Sequence, residues 1–415
     1  MVMSMGSIHV ITQADVRIRA VTNGRESEGA GCIYLSDLWA WPGSGLSHEI
    51  RDAAMRGYCQ YLASCLPTIT DDAAHPLALG LRLHEAVIAG TPHPAADELK
   101  APDHSSAVPP QLARIVCASP FDAAIHDAAG RALGTSAFNL YAESQPIPQA
   151  DGYFLQGACR AIQAVLNHPP RTASMAWWIV GKNDDLQKDL QPVVEQFGCF
   201  AFKLKIMGQD AHTDARRTVE VAHAARHWGL QHLVLSIDSN EANPDVASVL
   251  DYLAQLKRLD QRTYADLLMI EQPTARDIGA HPYDWRAVAV QTPVFLDEGL
   301  VSLKTLALAK EQGWSGFALK TCKGHSFTLI AAAWAFQRGL LLSLQDLTNP
   351  GLAAVHAGLL AAYMPTINGV ELNSQQFTPQ ANDGWRDQYP DLFTPRDGQL
   401  RLPPASLVGL GGGGA

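Results

Sequence analysis

Between Phe202 and Gln376 one arrangement recurs: a short apolar run ends on a charged or amide residue, a helix-length segment follows, and the pattern restarts. The terminal residues are Lys203 and Lys205 after FGCFAF, Asp238 and Asn240 after LVLSI, Glu271 after LLMI, and Asp297 and Glu298 after PVFL. Lys320 after GFAL, Gln345 after LLLSL and Glu371 after INGV complete the series. Successive sites lie roughly 23 to 33 residues apart, the length of one strand, one helix and two loops in a (β/α)₈ barrel. The spacing predicts a TIM-like barrel whose strand-end residues converge on one mouth. With 173–180 as the first strand, the lysine pair falls on the second strand, the three acids on the third to fifth, and Lys320 on the sixth. Second and sixth strands stand opposite in a ring of eight, so Lys205 and Lys320 face each other with the acids between.

At 415 residues and 47% apolar, the chain is long enough for two domains. The formal net charge of −10 and the lack of a Lys/Arg run argue against nucleic acid and anionic membranes, and for a small-molecule substrate. Seven scattered cysteines with no Cys-x-x-Cys pair read as reduced thiols and point to the cytoplasm. Neither a cationic-then-apolar leader nor an apolar stretch of the roughly 18 residues of a membrane span is found, so a soluble protein is expected.

Before the barrel, the stretch to Tyr34 reads as short strands: IHVI, VRIRAV, a turn over NGRESEGAG with a hairpin at Asn23-Gly24, then CIYL. DLWAWPGSGLSH is an aromatic loop too flexible in composition for core, a candidate lid or ordinary loop packing. Helices are expected over 48–66, 76–88 and 119–134, the last with Ser119 as N-cap, Pro120 at its first position, Asp122 facing back to the cap and Gly134 as its stop. Residues 146–172 read as a linker or insertion, 173–376 as the catalytic barrel, and the final GLGGGGA as a frayed tail.

Three carboxylates on neighbouring strands offer the oxygen donors a hard divalent cation needs, and Mg²⁺ is the natural choice. The plainer alternative pairs Asp238, Glu271 and Asp297 with the lysines. Asp297 and Glu298 point to opposite faces, with Asp297 the expected ligand. Lys203 and Lys205 project to one side. Burial, a second ammonium and a nearby dication would bring a lysine down toward neutrality, making Lys205 the candidate base and Lys203 its electrostatic neighbour. A carboxylate substrate held between Lys205 and Lys320 could lose its α-proton to one lysine, pass through a metal-stabilised enediolate, and regain a proton from the other with inversion.

At these residues the chain resembles the enolase superfamily, specifically the mandelate racemase and muconate lactonizing enzyme group. The carriers are KLK (203–205), DSN (238–240), EQP (271–273), DE (297–298) and KTCK (320–323), with the SPFDAAIHDAAGRALG helix and GVEL outside them. The superfamily's lysine or histidine bases and Mg²⁺ are themselves a general pattern. The resemblance implies an α/β fold, a (β/α)7β barrel with an α+β capping domain formed by 1–145 and completed by 377–415. It implies one Mg²⁺ on Asp238, Glu271 and Asp297, frequent homo-oligomers, and Asn240, Glu298, Lys323, His325, Gln345, Asp346 and Glu371 as supporting or substrate-facing residues. Lysines on strands two and six resemble the muconate lactonizing branch. The histidine base that the mandelate racemase branch places after strand seven is replaced by LQDLTNP, and the usual Gly-Gly after the second lysine is His325-Ser326.

The expected function is therefore a racemase or epimerase. A lyase or cycloisomerase on the same site, and a Schiff-base aldolase through Lys320, are the rivals. His223 and His227 lie one turn apart but lack the Glu of a zinc helix, and Cys322 reads as core rather than nucleophile.

Overall fold

The computed structural model describes residues 2–3, 6–7, 10–90 and 107–412. Part of the expected IHVI strand lies outside the described residues, and Val10 and Ile11 are not in a strand. Two ten-residue strands, Gln13–Thr22 and Arg25–Tyr34, pair antiparallel from Gln13↔Tyr34 to Thr22↔Arg25. Asn23 and Gly24, at φ 50° and 77°, make the left-handed two-residue turn that matches strand twist. The stretch RESEGAG is thus strand and not turn. Two residues suffice to reverse the chain, and the register then carries their successors into the ladder.

The hairpin lies on the helix Gln111–Leu133, so closely that a Cβ on Gly29 would sit 2.2 Å from the Ala124 carbonyl oxygen and one on Gly31 1.9 Å from that of Pro120. That helix begins at Gln111, not at Ser119, which corrects the expected cap. Buried Leu112, Ile115 and Val116 draw the chain into helix well before the local Ser-Pro signal. Pro120 has no N–H for the Val116 carbonyl, and the Ser119 hydroxyl donates to it instead at 2.8 Å. The expected stop holds: Gly134 ends the helix at φ 65°.

Helices His48–Ile69 and Pro76–Ala89 complete this N-terminal region. The DLWAWPGSG stretch is not the loose loop its composition suggests. It opens with a short helix, Asp37–Ala40, tied by Arg51 Nε at 2.7 Å and His48 Nδ1 at 3.0 Å to Asp37, and both Trp39 and Trp41 are buried. They join a hydrophobic cluster with Met55, Tyr58, Leu83 and Phe121 that also takes Cys322 from the barrel.

Seven parallel strands curl in sequence order: Trp177–Val180, Ala201–Lys205, Val234–Asp238, Leu267–Glu271, Val294–Leu296, Gly316–Lys320 and Leu341–Gln345. A parallel bridge, Gln345↔Glu371, brings in the eighth position. There Trp177 Nε1 donates to the Asn368 carbonyl at 2.8 Å and Val370 N to Ser174 Oγ at 2.9 Å, so side chains close the ring where a ladder does not. The expected first strand is split. Ala173–Met175 pairs antiparallel with Gln399–Arg401, and the Ala176 amide goes to the Gly398 carbonyl, leaving Trp177 to start the barrel.

Residues 146–172 contain the helix Ala158–Val165, whose buried Ala158, Ala161, Ile162 and Val165 share one hydrophobic cluster with the barrel strands. The glycine-rich end is held and not frayed as far as residue 412: Leu410 N donates to Asp127 Oδ1 at 2.7 Å, and Gly409 N to the Thr135 carbonyl at 2.9 Å. A Cβ on Gly409 would lie 2.2 Å from Asp127, so only glycine lets the chain approach that carboxylate. Residues 413–415 lie outside the described set. Among the described residues no helix is long and apolar enough to cross a membrane.

Candidate active site

The register explains why the strand-end residues meet. Lys205 pairs across to Asp238, Asp238 to Glu271, and Lys320 to Gln345, so each polar residue has a polar neighbour on the next strand. They line a cavity of about 390 Å³ together with Lys203, Asn240, Asp297 and Glu371. Trp39, Ile179, Ile206, Leu347 and Phe377 supply its apolar walls.

Inside, ammonium and carboxylate groups interleave. Lys203 Nζ lies 3.1 Å from Asp238 Oδ2, 2.9 Å from Glu271 Oε2 and 3.5 Å from Glu371 Oε2. Lys205 Nζ donates to Asp238 Oδ2 at 2.5 Å and Asn240 Oδ1 at 3.0 Å, so both lysines of KLK reach one carboxylate, as their spacing requires. Lys320 Nζ sits 2.7 Å from Asp297 Oδ2 and 3.9 Å from Glu271 Oε1. Lys323 donates to Asp297 Oδ1 at 3.0 Å and to its carbonyl at 2.5 Å. Gln345 Nε2 donates to Glu271, and Asn373 Nδ2 to Glu371 Oε1 at 2.8 Å.

Burial opposes every one of these charges, and the balance differs by group. At Asp238 burial is overcome by Lys205 and Lys203, which pull the carboxyl down to about 2. At Asp297 it is overcome by Lys320 and Lys323, which hold the carboxyl below the usual range. Without a dication, the pull of burial toward a neutral lysine is reversed at Lys203 and Lys320. Lys203 is held well above its ordinary value because Glu271, Glu371 and Asp238 outweigh burial, and Lys320 is raised by Asp297 and Glu271. Glu271 moves the other way, to about 7, through burial and repulsion from Asp238 and Asp297 against the pull of Lys203.

Six buried carboxyl groups (Asp238, Glu271, Asp297, Glu298, Asp346, Glu371) crowd four ammonium groups (Lys203, Lys205, Lys320, Lys323). Asp297 Oδ2 accepts no well-directed hydrogen bond despite the nearby Lys320, and Glu371 Oε2 accepts none. Among the described residues, no three His, Cys, Asp or Glu side chains are grouped as they stand to hold a metal ion. The expected acids do occupy adjacent strand ends, but their oxygens are turned to lysines. Donor type, strand placement and the excess of acid fit a hard dication, while the present side-chain orientations are those of ion pairs.

The supporting residues divide. Glu298 turns away from Asp297, as the strand alternation predicts, and its Oε1 accepts from Trp39 Nε1 at 3.0 Å; burial and Asp297 push it to about 8. Asp346 takes the amides of Thr348 at 2.8 Å and Asn373 at 3.2 Å, and so holds its loop; burial, with Glu371 adding to it, raises it to about 8. His325 does not line the cavity: it is buried in the seam with the N-terminal region, its Nδ1 2.9 Å from His356 Nε2. His223 pairs with Asp260 at 2.8 Å on the outer face, and Cys322 is core, with burial raising its thiol to about 12.

Three contributors escaped the sequence reading. Gln272 Oε1 accepts from the Asp297 and Gly299 amides at 2.9 and 3.1 Å, fixing the turn that carries Asp297; its place inside EQP was the available signal. Arg276 grips Glu241 and donates to the Trp39 carbonyl at 3.1 Å. Trp39 itself was visible only as part of an aromatic loop.

Known structures share this architecture. Muconate lactonizing enzyme from Klebsiella pneumoniae is 21% identical with a TM-score of 0.60, covering 96% of this chain and 91% of that one. Muconate cycloisomerase from Pseudomonas fluorescens is 19% identical (TM-score 0.59, 96% and 91% covered), and 2-chloromuconate cycloisomerase from Rhodococcus opacus 1CP is 16% identical (0.57, 97% and 95%). At such identities the likeness shows the fold. No curated protein matches the sequence. The family model for enolase C-terminal domain-like proteins matches residues 185–412, more than half of the chain and nearly all of the barrel. With the barrel, its mouth and this match in agreement, the chain belongs to the enolase superfamily, in the mandelate racemase and muconate lactonizing enzyme group.

Proposed function

We propose that the protein abstracts the α-proton of a carboxylate substrate and returns a proton to the opposite face, acting as a racemase or epimerase. The observation that carries this reading is that Lys205 and Lys320 line one cavity from strands four apart, with Asp238, Glu271 and Asp297 on the strand ends between them. Lys205 is the base, its side chain 26% exposed and the more accessible of the pair. Lys320, on the far side, returns the proton in this direction and takes the α-proton when the opposite enantiomer reacts. Lys203 holds Glu271, Glu371 and Asp238 in place and draws the substrate carboxylate in. The apolar walls select an acid with an apolar body.

Asp238, Glu271 and Asp297 would hold one Mg²⁺, which when bound supplies positive charge to hold the substrate carboxylate and stabilise charge developing on it. In this reading 1–145 with 377–415 form the cap, 146–172 is the connection, and 173–376 is the catalytic barrel of a cytoplasmic, oligomeric enzyme. Cycloisomerisation is the second reading, favoured by the names of the similar structures. The test is exchange of the substrate α-proton in D₂O across a library of chiral acids. Exchange with inversion is expected; an unsaturated or cyclised product would favour elimination or cycloisomerisation, and no exchange with any acid would overturn both lysine roles.

A further inference from the structure

Trp39 belongs to no strand-end motif, yet it is tied to three separate parts of the barrel mouth. Its Nε1 donates to Glu298 Oε1 at 3.0 Å, and its carbonyl accepts from Arg276 Nη1 at 3.1 Å. Its ring lies under two ammonium groups, 4.8 Å from Lys320 Nζ and 6.0 Å from Lys323 Nζ. The residue is 2% exposed and is part of the lining of the active cavity.

A lysine side chain is a point charge on a flexible four-carbon stem. An ion pair with Asp297 at 2.7 Å sets how far Lys320 reaches, but not the direction in which its remaining N–H bonds point. An indole face that lies against the ammonium removes one half of that freedom, and a desolvated cation–π contact is strong enough to matter. Because Glu298 holds the indole N–H and Arg276 holds the Trp39 backbone carbonyl, the residue is anchored at ring and backbone, and the lysine is the part that conforms.

We propose that Trp39 is the positioning residue for Lys320, aiming its ammonium at the substrate face opposite Lys205. This rests on the two-lysine reading given above. The inference adds that the N-terminal region shapes the proton transfer itself: one of the two faces is served by a lysine whose direction is set by a residue far from the barrel in sequence.

The variants are Trp39→Leu, which keeps apolar bulk but removes the aromatic face, and Trp39→Phe, which keeps a face but no N–H. Two readouts separate positioning from packing. In protein labelled with ¹³C-lysine, the ε-methylene signal of Lys320, identified by its disappearance in Lys320→Met, carries a ring-current shift. That shift is lost in Trp39→Leu and partly retained in Trp39→Phe. In α-proton exchange, the enantiomer whose exchange Lys320→Met abolishes slows about tenfold in Trp39→Leu, while the other enantiomer slows less than about twofold. Equal slowing of both enantiomers, or a Lys320 signal unmoved by Trp39→Leu, overturns the proposal. Wild-type protein that exchanges neither enantiomer of any acid would sink the two-lysine reading and the catalytic half of this one, whereas the ring-current shift reports the Trp39–Lys320 contact independently of turnover.

Discussion

The segment after the sixth barrel strand faces two buried polar regions within a few residues, and they meet the cost of burial in opposite ways. Lys320 and Lys323 enter the mouth, where both pair with the Asp297 carboxylate, which they hold ionised. His325 and Ser326 enter the seam with the helix Gln111–Leu133. There the Asp122 carboxylate accepts from the Ser326 hydroxyl at 2.7 Å and its amide at 2.8 Å, and Ser326 Oγ meets His126 Nε2 at 2.9 Å. Burial wins in the seam: it raises Asp122 to about 6 against the pull of Ser326, and drives His126 and His325 well below their ordinary value. At the mouth opposite charges a few ångströms away reverse it at Asp238, Asp297, Lys203 and Lys320. The same desolvation therefore yields a neutral histidine network or a set of ionised pairs, depending on whether nearby opposite charge outweighs burial and like charge together, as it does at Asp238 and Asp297 but not at Glu271.

The sharpest way to break this contrast is to remove one charge from the mouth and one hydroxyl from the seam. Lys203→Met leaves Asp238, Glu271 and Glu371 short of their shared ammonium and should cost about 3–5 kcal/mol, read from the urea midpoint. Ser326→Ala leaves Asp122 and His126 each one partner poorer and should cost about 1–2 kcal/mol. Equal losses would mean that the mouth is no more ionised than the seam.

A dication distinguishes the two regions without a substrate. Mg²⁺ at a hundredfold above its dissociation constant should stabilise the wild type by about 2.7 kcal/mol, seen as a raised Tm. Ser326→Ala should keep that rise and Glu271→Gln should lose it. A rise that survives Glu271→Gln would place the ion away from the acids of the mouth.

The mouth was legible in the sequence because a barrel writes its site as a repeat: an apolar run, a polar terminus, a helix. Register alone then brings Lys205, Asp238 and Glu271 side by side. The seam was not legible. Ser119-Pro120 is a sound local helix start, and only the burial of Leu112 and Val116 overrides it. Trp39 sits in a stretch rich in glycine and proline whose partners, Glu298 and Lys320, are supplied by distant strands. The rise at Lys203 and Lys320 was hidden for a related reason. The sequence names the acids on the other strand ends, but only the fold shows how closely they approach Lys203 and Lys320.

The smallest effect tests the seam by pH. His84 stacks on Phe327, its Nε2 shares a hydrogen bond with the Val301 carbonyl at 3.1 Å, and burial lowers its pKa to about 4. The folded value lies below the unfolded value of about 6.5, so between the two the unfolded chain binds more protons. The contribution is complete above pH 6.5 and is lost as pH falls toward 4. Replacing His84 by Gln keeps an N–H for Val301 but removes the titration. The difference in unfolding free energy between wild type and His84→Gln should therefore shift against the wild type by about 1 kcal/mol from pH 7.5 to pH 5.5. Lys203 and Lys320, held above an already high starting point, add no slope of their own in this window.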